Sequence, residues 1–233
     1  MSQISLRTRE FYKQHRFLTK FHKEKESIEA FHVGWSSPVV QQRGFELASD
    51  FPWIQWCEVK SVLDLGCGYG NLLDFLLCHK AFAGDYHGID IISECIDVAR
   101  SRYHKLSHAF FYEGDFLEQS LAQNNFDLVI SVGAICVNHD YPEPYGKKSM
   151  VYAQRIISKI AKASNLGFSI YFPHAQNTDL NRRQLGLAYY TKPEIESMVR
   201  ESTGARFVDM TFTSFSDPSD FRTIAKVRLK DIG

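Results

Sequence analysis

The sequence predicts an α/β fold with a mostly parallel, seven-stranded sheet that is covered by helices and ends in an antiparallel hairpin. Strand and helix patterns alternate from residue 61 to about residue 172, which is typical of parallel strands joined by right-handed crossovers. A short apolar strand runs directly into a glycine-rich turn at residues 62–70. Two further strand-like segments, 206–212 and 221–229, flank a turn-rich stretch and predict the closing hairpin. At 233 residues the chain suits one such domain with a small addition.

The individual elements follow from apolar patterning and from turn residues. Five strands are predicted ahead of the closing pair, at 61–65, 86–90, 108–113, 126–132 and 166–172. Helices are predicted at 69–79, 93–104, 147–164 and 192–202. Because parallel strands point the same way, their carboxyl ends meet at one edge of the sheet, where open α/β sheets bind their ligands.

Residues 1–55 are predicted to be a helical extension or lid packed on a single domain of residues 56–233. Residues 5–30 carry charges of both signs and a stripe of apolar residues at near-helical spacing. The stripe consists of Phe11, Phe17, Leu18, Phe21 and Ile28. A mobile lid and a helix that faces a membrane or nucleic acid are the alternatives to a docked helix. Ser37 and Pro38 then predict the start of a helix that ends near Ser49.

Composition narrows the possible partners. Lys and Arg number 27 and so do Asp and Glu, which gives a formal net charge of +0. This balance disfavours a large nucleic-acid footprint, which usually shows as a basic excess. No stretch approaches the ~18–20 apolar residues of a membrane span, and the chain begins with polar and charged residues, so we expect no signal peptide and no membrane partner.

The cysteines indicate a reducing compartment. The chain has five of them, with no Cys-x-x-Cys pair and no His at zinc spacing. They are Cys57, Cys67, Cys78, Cys95 and Cys136. Free thiols in the cytoplasm and no metal site are therefore expected. The sequence leaves a homodimer open.

The most informative motif is Val-Leu-Asp-Leu-Gly-Cys-Gly-Tyr-Gly at residues 62–70. Gly66, Gly68 and Gly70 lack the Cβ atoms that would keep a ligand away from the backbone. The helix that follows offers unpaired N–H groups at its first turn. We expect the carboxylate of Asp64, just before the turn, to face the same crevice. The loop therefore suits a nucleoside ligand with a charged or polar tail.

The glycine spacing separates two kinds of nucleoside ligand. A dinucleotide fingerprint requires Gly-x-Gly-x-x-Gly, whereas here the third glycine comes one residue early and Asn71 stands in its place. An acidic residue at the loop entrance would repel a pyrophosphate but attract an ammonium group. The string instead resembles motif I, Asp-x-Gly-x-Gly-x-Gly, of the class I S-adenosylmethionine (SAM) methyltransferases. A tight turn without a ligand is the alternative.

The second predicted strand ends at Asp90. An acidic residue there, roughly 20 residues beyond the glycine loop, can accept hydrogen bonds from both ribose hydroxyls. NAD enzymes and methyltransferases share this role, so Asp90 alone does not separate them. A cap for the helix that starts near Ser93 is the alternative.

The resemblance implies further cofactor contacts after each of the next two strands. Asp115 resembles the position whose carboxylate takes the adenine amino group, with Ile91 or Phe116 against the ring. The alternative for this site is a solvated turn. The fourth strand resembles motif IV, which implies that backbone atoms of Ser131 and Gly133 face the methionine part. Cys67 and Tyr69 complete the implied cofactor loop, with Cys67 as a small filler rather than a nucleophile.

A looser resemblance extends outside the sheet. Gly34-Trp35-Ser36-Ser37 and Gln41 are similar to a Gly-Trp-Gly-Ser segment and a following Gln in a set of bacterial methyltransferases of mostly unassigned substrate. Residues 190–194 are similar to the late Tyr-(Ser/Thr)-Pro-Glu of the same proteins. The resemblance implies that Trp35 and Gln41 belong to the cofactor site. The chain departs from the pattern at Ser36, where a second Gly is expected, and at Gly44, where Arg is expected.

The methyl acceptor is expected beyond strands four and five. His139 and His174 follow these strands, and a histidine that titrates near neutral pH can act as a general base. Structural loop roles are the alternative for both. The candidate substrate pocket consists of Asn138, Tyr141, Tyr145 and Tyr190, in which tyrosine faces could also attract the sulfonium. Packing is the alternative role for each tyrosine.

These observations predict an enzyme that moves a methyl group from SAM to an O or N atom of a small molecule. The fourth strand is not followed by the Asn/Asp-Pro-Pro-Tyr tetrad with which many nucleobase and protein amide methyltransferases grip a planar amide, which favours a metabolite, sugar or secondary metabolite. The alternatives are an NAD(P)-dependent reductase, a SAM-binding module without catalysis, and a methyltransferase acting on RNA or protein.

Overall fold

The computed structural model describes residues 6–11, 30, 34–120, 126–140, 146–175, 186–215 and 222–230. Its centre is a seven-stranded sheet. The strands are β1 (Ser61–Leu65), β2 (Asp85–Asp90), β3 (Ala109–Glu113), β4 (Phe126–Val132), β5 (Ser164–Pro173), β6 (Phe207–Ser214) and β7 (Arg222–Leu229). Their order across the sheet is β3-β2-β1-β4-β5-β7-β6.

The sheet has the predicted direction pattern. Strands β1 to β5 pair in parallel, and β7 pairs antiparallel with both β5 and β6. The predicted α/β class and the closing hairpin are thus confirmed. From β1 the chain adds β2 and β3 on one side of the sheet and then β4 and β5 on the other. The strand order therefore reverses between β1 and β4, and this is the position where doubly wound sheets open a crevice.

Helices cover both faces of the sheet. They are α1 (Pro38–Ala48), α2 (Asn71–His79), α3 (Ser93–Arg102), α4 (Lys147–Ala163) and α5 (Lys192–Thr203), with short 3-10 turns at Trp56–Glu58 and Gly204–Arg206. None of the helices in the described ranges is long and apolar enough to cross a membrane.

Two apolar clusters fix these helices on the sheet. Leu63 on β1 faces a cluster with Ile156 of α4 and Ile195 of α5. Its neighbour Val62 faces the other cluster, with Leu72 of α2. Alternate residues of a strand point to opposite faces, so a strand that is buried on both faces reads as a continuous apolar run.

Local sequence sets the helix starts. The Ser37 hydroxyl accepts a hydrogen bond from Val40 N at 3.2 Å and caps α1 as predicted. At α5, Thr191 and Glu194 form a capping box, with Pro193 in the first turn. The late motif at residues 190–194 therefore starts a helix, which gives that pattern a structural reason.

The described part of the N-terminal extension lies on the sheet's ligand-binding edge. Residues 6–11 are helical, and the Arg9 guanidinium lies 3.3 Å from the Glu113 carboxylate at the end of β3. A Cβ atom on Gly186 would lie 2.7 Å from Phe11 Cε2, so this ring packs directly on the backbone at Gly186. Most of the predicted apolar stripe, from Phe17 to Ile28, lies outside the described residues.

Candidate active site

A cleft opens at the carboxyl ends of the central strands, where the reversal of strand order predicts it. Its walls come from the ends of β1 to β4, from α3 and α4, and from the N-terminal helical segment. The lining residues are Thr8, Leu65, Gly66, Ile89, Asp90, Ile91, Ile92, Cys95, Gly114, Asp115, Phe116, Val132, Gly133, Ala134, Tyr152 and Ile156. Apolar side chains dominate the walls and a few carboxylates supply polar groups, as is usual for a small-molecule site.

The glycine loop forms one wall through its backbone. Gly66 N and Cys67 N both donate to Ile89 O, at 2.9 and 3.1 Å, and hold the loop on the end of β2. Gly66 has a φ of +83°, and a Cβ atom placed on it would meet nothing within 4 Å. Since Gly66 also lines the cleft, a ligand can approach its backbone closely.

Gly70 serves a different purpose from Gly66. Its φ is +79°, and a Cβ atom there would lie 2.6 Å from a ring carbon of Tyr103. The Tyr103 hydroxyl donates to Gly70 O at 2.9 Å. Gly70 is therefore needed for packing the loop against Tyr103 and Phe111, and it does not line the cleft. Gly70 is also the N-cap of α2, which begins two residues later than predicted, at Asn71.

Asp90 joins the loop to the end of β2 while lining the cleft. Its carboxylate oxygens accept hydrogen bonds from Gly68 N and Ile92 N, both at 2.8 Å. The alternative role of Asp90, capping the turn before α3, is thus present in the structure. The same side chain thus orders the glycine loop and the turn before α3 at the edge of the cleft.

Asp64 corrects one expectation. Its side chain is 3% exposed and accepts a hydrogen bond from the Tyr86 hydroxyl within the core. It is not among the residues that line the cleft. Burial raises the pKa of Asp64 to about 7, against the Tyr86 hydrogen bond, which lowers it, and Asp90 raises it further. Strand alternation places Asp64 on the same face of the sheet as Val62 and Tyr86, so its side chain meets the Tyr86 hydroxyl in the core rather than the turn.

The loop after β3 brings Asp115 and Phe116 to the cleft as predicted. One Asp115 oxygen accepts from Leu117 N at 2.8 Å, which folds the loop into a turn. The Lys159 ammonium on α4 donates to the carbonyl oxygens of Phe116 and of Gln119, the latter at 2.6 Å. These hydrogen bonds fix the loop that carries Asp115.

The remaining predicted loop and strand residues divide by position. Gly133 and Ile91 line the cleft, whereas Ser131 is fully buried within β4. Cys67 is buried, and burial raises the pKa of its thiol well above the usual range, which fits a packing role. Tyr69 is also buried and packs with Ile92 and Cys95, two cleft residues, so it supports the wall from behind.

Trp35 and Gln41 do not line the cleft, contrary to expectation. The Trp35 indole packs on Gly44, 2.4 Å from the position of a Cβ atom there, and lies 5.8 Å from the Tyr171 ring. It belongs to the apolar cluster between α1 and the sheet. Gly44, where the bacterial pattern has Arg, is therefore the residue that lets this indole fit. Gln41 is buried on α1.

His139 does not itself line the cleft, but its ring lies against Tyr152, which does. It is 8% exposed, and its ring centroid is 4.4 Å from that of Tyr152, which lines the cleft. Neither ring nitrogen has a hydrogen-bond partner among the described residues. Burial lowers the pKa of His139 to about 4, although Asp140 raises it; Arg7 lowers it and Asp115 raises it. At neutral pH the imidazole is uncharged and able to accept a proton.

His174 is half-buried and pairs in a short bridge with Tyr190. Its Nδ1 atom has no hydrogen-bond partner in the described ranges. Burial lowers the pKa of His174, and the nearby Lys192 lowers it further. It does not line the cleft.

Two of the predicted pocket residues are structural. Tyr190 is fully buried, and its hydroxyl donates to Ile135 O at 3.1 Å. Asn138 is 1% exposed, and its Oδ1 atom accepts from Asp140 N at 2.9 Å. Both residues therefore move from the predicted pocket to a supporting role. The strand-like segment at 186–190, to which Tyr190 belongs, covers Asn138. Tyr141 and Tyr145 lie outside the described residues.

Thr8 and Tyr152 are among the cleft residues that sequence reasoning missed. Tyr152 belongs to the apolar stripe of α4 together with Ile156 and Ile160, four residues apart each time, so periodicity could have placed it on the sheet side. Nothing local marks Thr8, which reaches the cleft only because residues 6–11 dock there. The aromatic wall predicted from other tyrosines is thus supplied by Tyr152.

Residues 62–150 match the model of a family described as "Methyltransferase domain". The chain is 34% identical over 104 residues to an mRNA cap guanine-N(7) methyltransferase of Schizosaccharomyces pombe, which is 41% of this chain and 26% of that protein. It is 33% identical over 82 residues to a phosphoethanolamine N-methyltransferase of Plasmodium falciparum, 35% of this chain and 30% of that protein. The chain thus matches less than a third of the length of each relative.

Among solved structures, the chain resembles the N-methyltransferase NodS from Bradyrhizobium japonicum WM9 in complex with S-adenosyl-l-homocysteine. The TM-score is 0.61 at 17% identity, with 94% of this chain and 98% of the other covered. Similarity over nearly both whole chains shows a shared fold.

Proposed function

We propose that the chain is a class I SAM-dependent methyltransferase, which binds SAM in the cleft and transfers the methyl group to an O or N atom of a small molecule; the family match at residues 62–150 and the shared fold support this. The observation that carries this proposal is the convergence of Gly66, Asp90 and Asp115 on one cleft. These residues come from three separate loops, and each has the chemistry that one part of SAM requires.

The described residues fit the cofactor part by part. The Asp90 carboxylate can accept from ribose hydroxyls, and Asp115 can accept from the adenine amino group. Ile91 and Phe116 offer apolar surface to the base. The open space above Gly66 admits the methionine portion beside the backbone of Gly133. SAM supplies an activated methyl group on a sulfonium.

The chain's own contribution to transfer is alignment, exclusion of water and removal of a proton. With SAM bound, an attacking hydroxyl or amine would form a bond to the methyl carbon as the carbon–sulfur bond breaks, leaving S-adenosylhomocysteine as a neutral thioether, and the attacking group would release its proton. We assign that proton to the imidazole of His139, which is uncharged at neutral pH and sits beside Tyr152 at the cleft wall. The apolar walls and the docked segment at residues 6–11 exclude water.

A small acceptor suits the shape of the cleft. Thr8 lines the cleft and is 8% exposed, so the N-terminal segment narrows access for a large substrate. The curated relatives include one protein named for phosphoethanolamine and one named for the mRNA cap. The likeness to the latter keeps a capped RNA as the second candidate acceptor. All five cysteines are free, which supports a place in the cytoplasm.

Isothermal titration with SAM and with NADH tests the cofactor. We expect SAM to bind and NADH to show no saturable binding; equal affinity for the two would overturn the proposal. Methyl transfer is then measured with radiolabelled SAM on phosphoethanolamine, on a panel of hydroxy acids, phenols and amines, and on a capped RNA oligomer. Label in the small molecules supports the proposal, whereas label only in the RNA favours the second candidate.

A further inference from the structure

The segment that carries His139 is held by a network of side chains that face away from the cleft. We call Asn138, Asp140 and Ser149 the Ser149 network. The Ser149 hydroxyl oxygen accepts a hydrogen bond from His139 N at 3.0 Å. The same hydroxyl is 2.8 Å from Asp140 Oδ2 and 3.2 Å from Asn138 Oδ1. Because a hydroxyl has one proton, it donates mainly to the closer carboxylate oxygen.

Asp140 ties this segment to the start of α4. Its carboxylate accepts from Gly146 N at 3.0 Å, from Lys148 N at 3.1 Å and from Ser149 N at 2.9 Å. These amides belong to the first turn of the helix, where N–H groups lack partners within the helix. The hydrogen bonds from Ser149, Lys148 and Gly146 lower the pKa of Asp140, so it is ionised at neutral pH.

The imidazole itself depends on this anchorage. Neither ring nitrogen of His139 has a hydrogen-bond partner among the described residues, so no hydrogen bond from that part of the chain fixes the ring. What holds its position is the edge-on contact with Tyr152 and the hydrogen bond from His139 N to the fully buried Ser149. The ring is thus placed through its backbone.

We infer that Ser149 and Asp140 are positioning residues for His139, which fix its backbone so that the imidazole stays against Tyr152 and faces a methyl acceptor. This inference rests on the proposed role of His139 as the base. Asp140 also supplies a negative charge to a ring that faces two other charged groups, Arg7 from the N-terminal segment and Asp115 from the loop after β3.

The test uses the full chain and two variants that act on the ring in opposite directions. In Ser149→Ala the hydrogen bond that anchors the His139 backbone is lost, so the imidazole gains conformational freedom and becomes more exposed to solvent. The pH midpoint of the His139 Cε1–H signal in NMR should rise towards the ordinary histidine value. In Asp140→Asn a side-chain oxygen still accepts from the helix, but the negative charge is gone, so the midpoint should fall. A His139→Gln variant assigns the signal.

Ser37→Ala is the matched control, because it removes a hydroxyl that caps α1 at a distance from the cleft. It should leave the His139 midpoint unchanged. If Ser149→Ala and Asp140→Asn, folded by circular dichroism, also leave it unchanged, the inference is overturned. If Ser149→Ala does not fold, Asp140→Asn decides the matter alone: a lower midpoint supports the inference and an unchanged or raised one contradicts it.

Kinetics separate this inference from the proposed function. With an acceptor in hand, Ser149→Ala should lower kcat by roughly 10–100-fold, the cost of misplacing a catalytic group, while the Kd for SAM stays the same. If the NMR midpoints move as expected but His139→Gln retains full methyl transfer, the proposed base is wrong and the anchorage stands. If His139→Gln abolishes transfer but neither network variant changes kcat or the midpoint, the anchorage is wrong and the base stands.

Discussion

The two ends of the cleft are built in different ways. The cofactor end, around residues 64–70, 90–92 and 114–116, consists of strand ends and tight turns whose backbone atoms are tied to one another. The end where we propose that the acceptor binds begins at the cleft residue Ala134 and continues behind it through residues 135–140 and 186–190, which are irregular chain held by side chains from other segments. A backbone site is specified by a short motif, whereas a side-chain site requires residues that are distant in sequence.

This difference has a functional meaning. The cofactor end can present the same hydrogen-bonding atoms whatever the acceptor, because its donors and acceptors are largely main-chain groups and two carboxylates. At the acceptor end the segments that meet come from residues 7–8, 139, 152 and 186, so single substitutions there can reshape the pocket. Four predictions test the contrast, from the largest expected effect to the smallest.

His139→Ala tests the acceptor end. We expect kcat to fall by about 10²–10⁴-fold, the usual contribution of a general base, with little change in SAM affinity. Burial lowers the pKa of His139 to about 4. As the pH is lowered, the wild-type rate should therefore begin to fall near pH 4 rather than near 6.5. Steady-state kinetics between pH 4 and 8 provide the measurement.

His174→Ala is the comparison variant for the same experiment. His174 follows the neighbouring strand, but its ring packs on Phe172, which does not line the cleft, so its loss should change kcat much less. A larger loss in His174→Ala than in His139→Ala would reverse the assignment of the base.

Asp64→Asn tests whether the buried carboxyl at the cofactor end serves stability or binding. The folded pKa of about 7 exceeds the ordinary value of 3.8, so the folded state holds this proton more tightly than the unfolded state. The contribution of Asp64 is therefore fully present below pH 3.8 and is lost as pH rises to about 7. Relative to Asp64→Asn, the wild type should lose up to about 4 kcal/mol over that window.

Urea unfolding at several pH values measures this difference. Asp97→Asn, an exposed position on α3, is the control and should track the wild type. Parallel pH curves for wild type and Asp64→Asn would show that Asp64 ionises normally in the folded state.

Gly70→Ala and Gly66→Ala compare two glycines with nearly the same backbone. Both need a positive φ, but only Gly70 has a ring 2.6 Å from a new Cβ atom. Gly70→Ala should cost about 2–4 kcal/mol of unfolding free energy, from strain and overpacking together. Gly66→Ala should cost about 1–2 kcal/mol, and its methyl group should weaken SAM binding by entering the cleft. Equal destabilisation by the two variants in urea would contradict the packing role of Gly70.

Asp90→Ala gives the smallest expected effect. Loss of the charged acceptor should weaken SAM binding by about 1–3 kcal/mol. Calorimetry measures it, with Asp90→Asn as the comparison variant, which keeps one of the two oxygens that accept from Gly68 N and Ile92 N. If both variants bind SAM like the wild type, Asp90 is a turn cap alone.

Most of the fold could be predicted from patterning. The predicted bounds of β1 and β4 match the structure, and helices 147–164 and 192–202 differ from α4 and α5 by one residue. Apolar runs bounded by glycine and proline are strong local signals, because the strands are buried on both faces. The placement of Asp90, Asp115 and Gly133 also followed, since each stands at the end of a predicted strand.

The errors share a physical cause. Asp64, Trp35, Asn138 and Tyr190 were assigned to the site from type and order along the chain, yet each is turned into the core or into a supporting network. Which side of a turn a side chain takes depends on what packs behind it. Tyr86 receives Asp64, and Gly44 leaves room for Trp35.

The sequence by itself determined the α/β class, the parallel strands with their closing hairpin, and a glycine loop with two carboxylates beyond it. These depend on period and on local turn chemistry, which a chain carries within a few residues. Only the tertiary structure decided that Thr8 and Tyr152 meet across the cleft and that His139 is neutral and anchored from behind by Ser149. Such features depend on burial and on contacts between distant segments. No short segment of the sequence determines either of them.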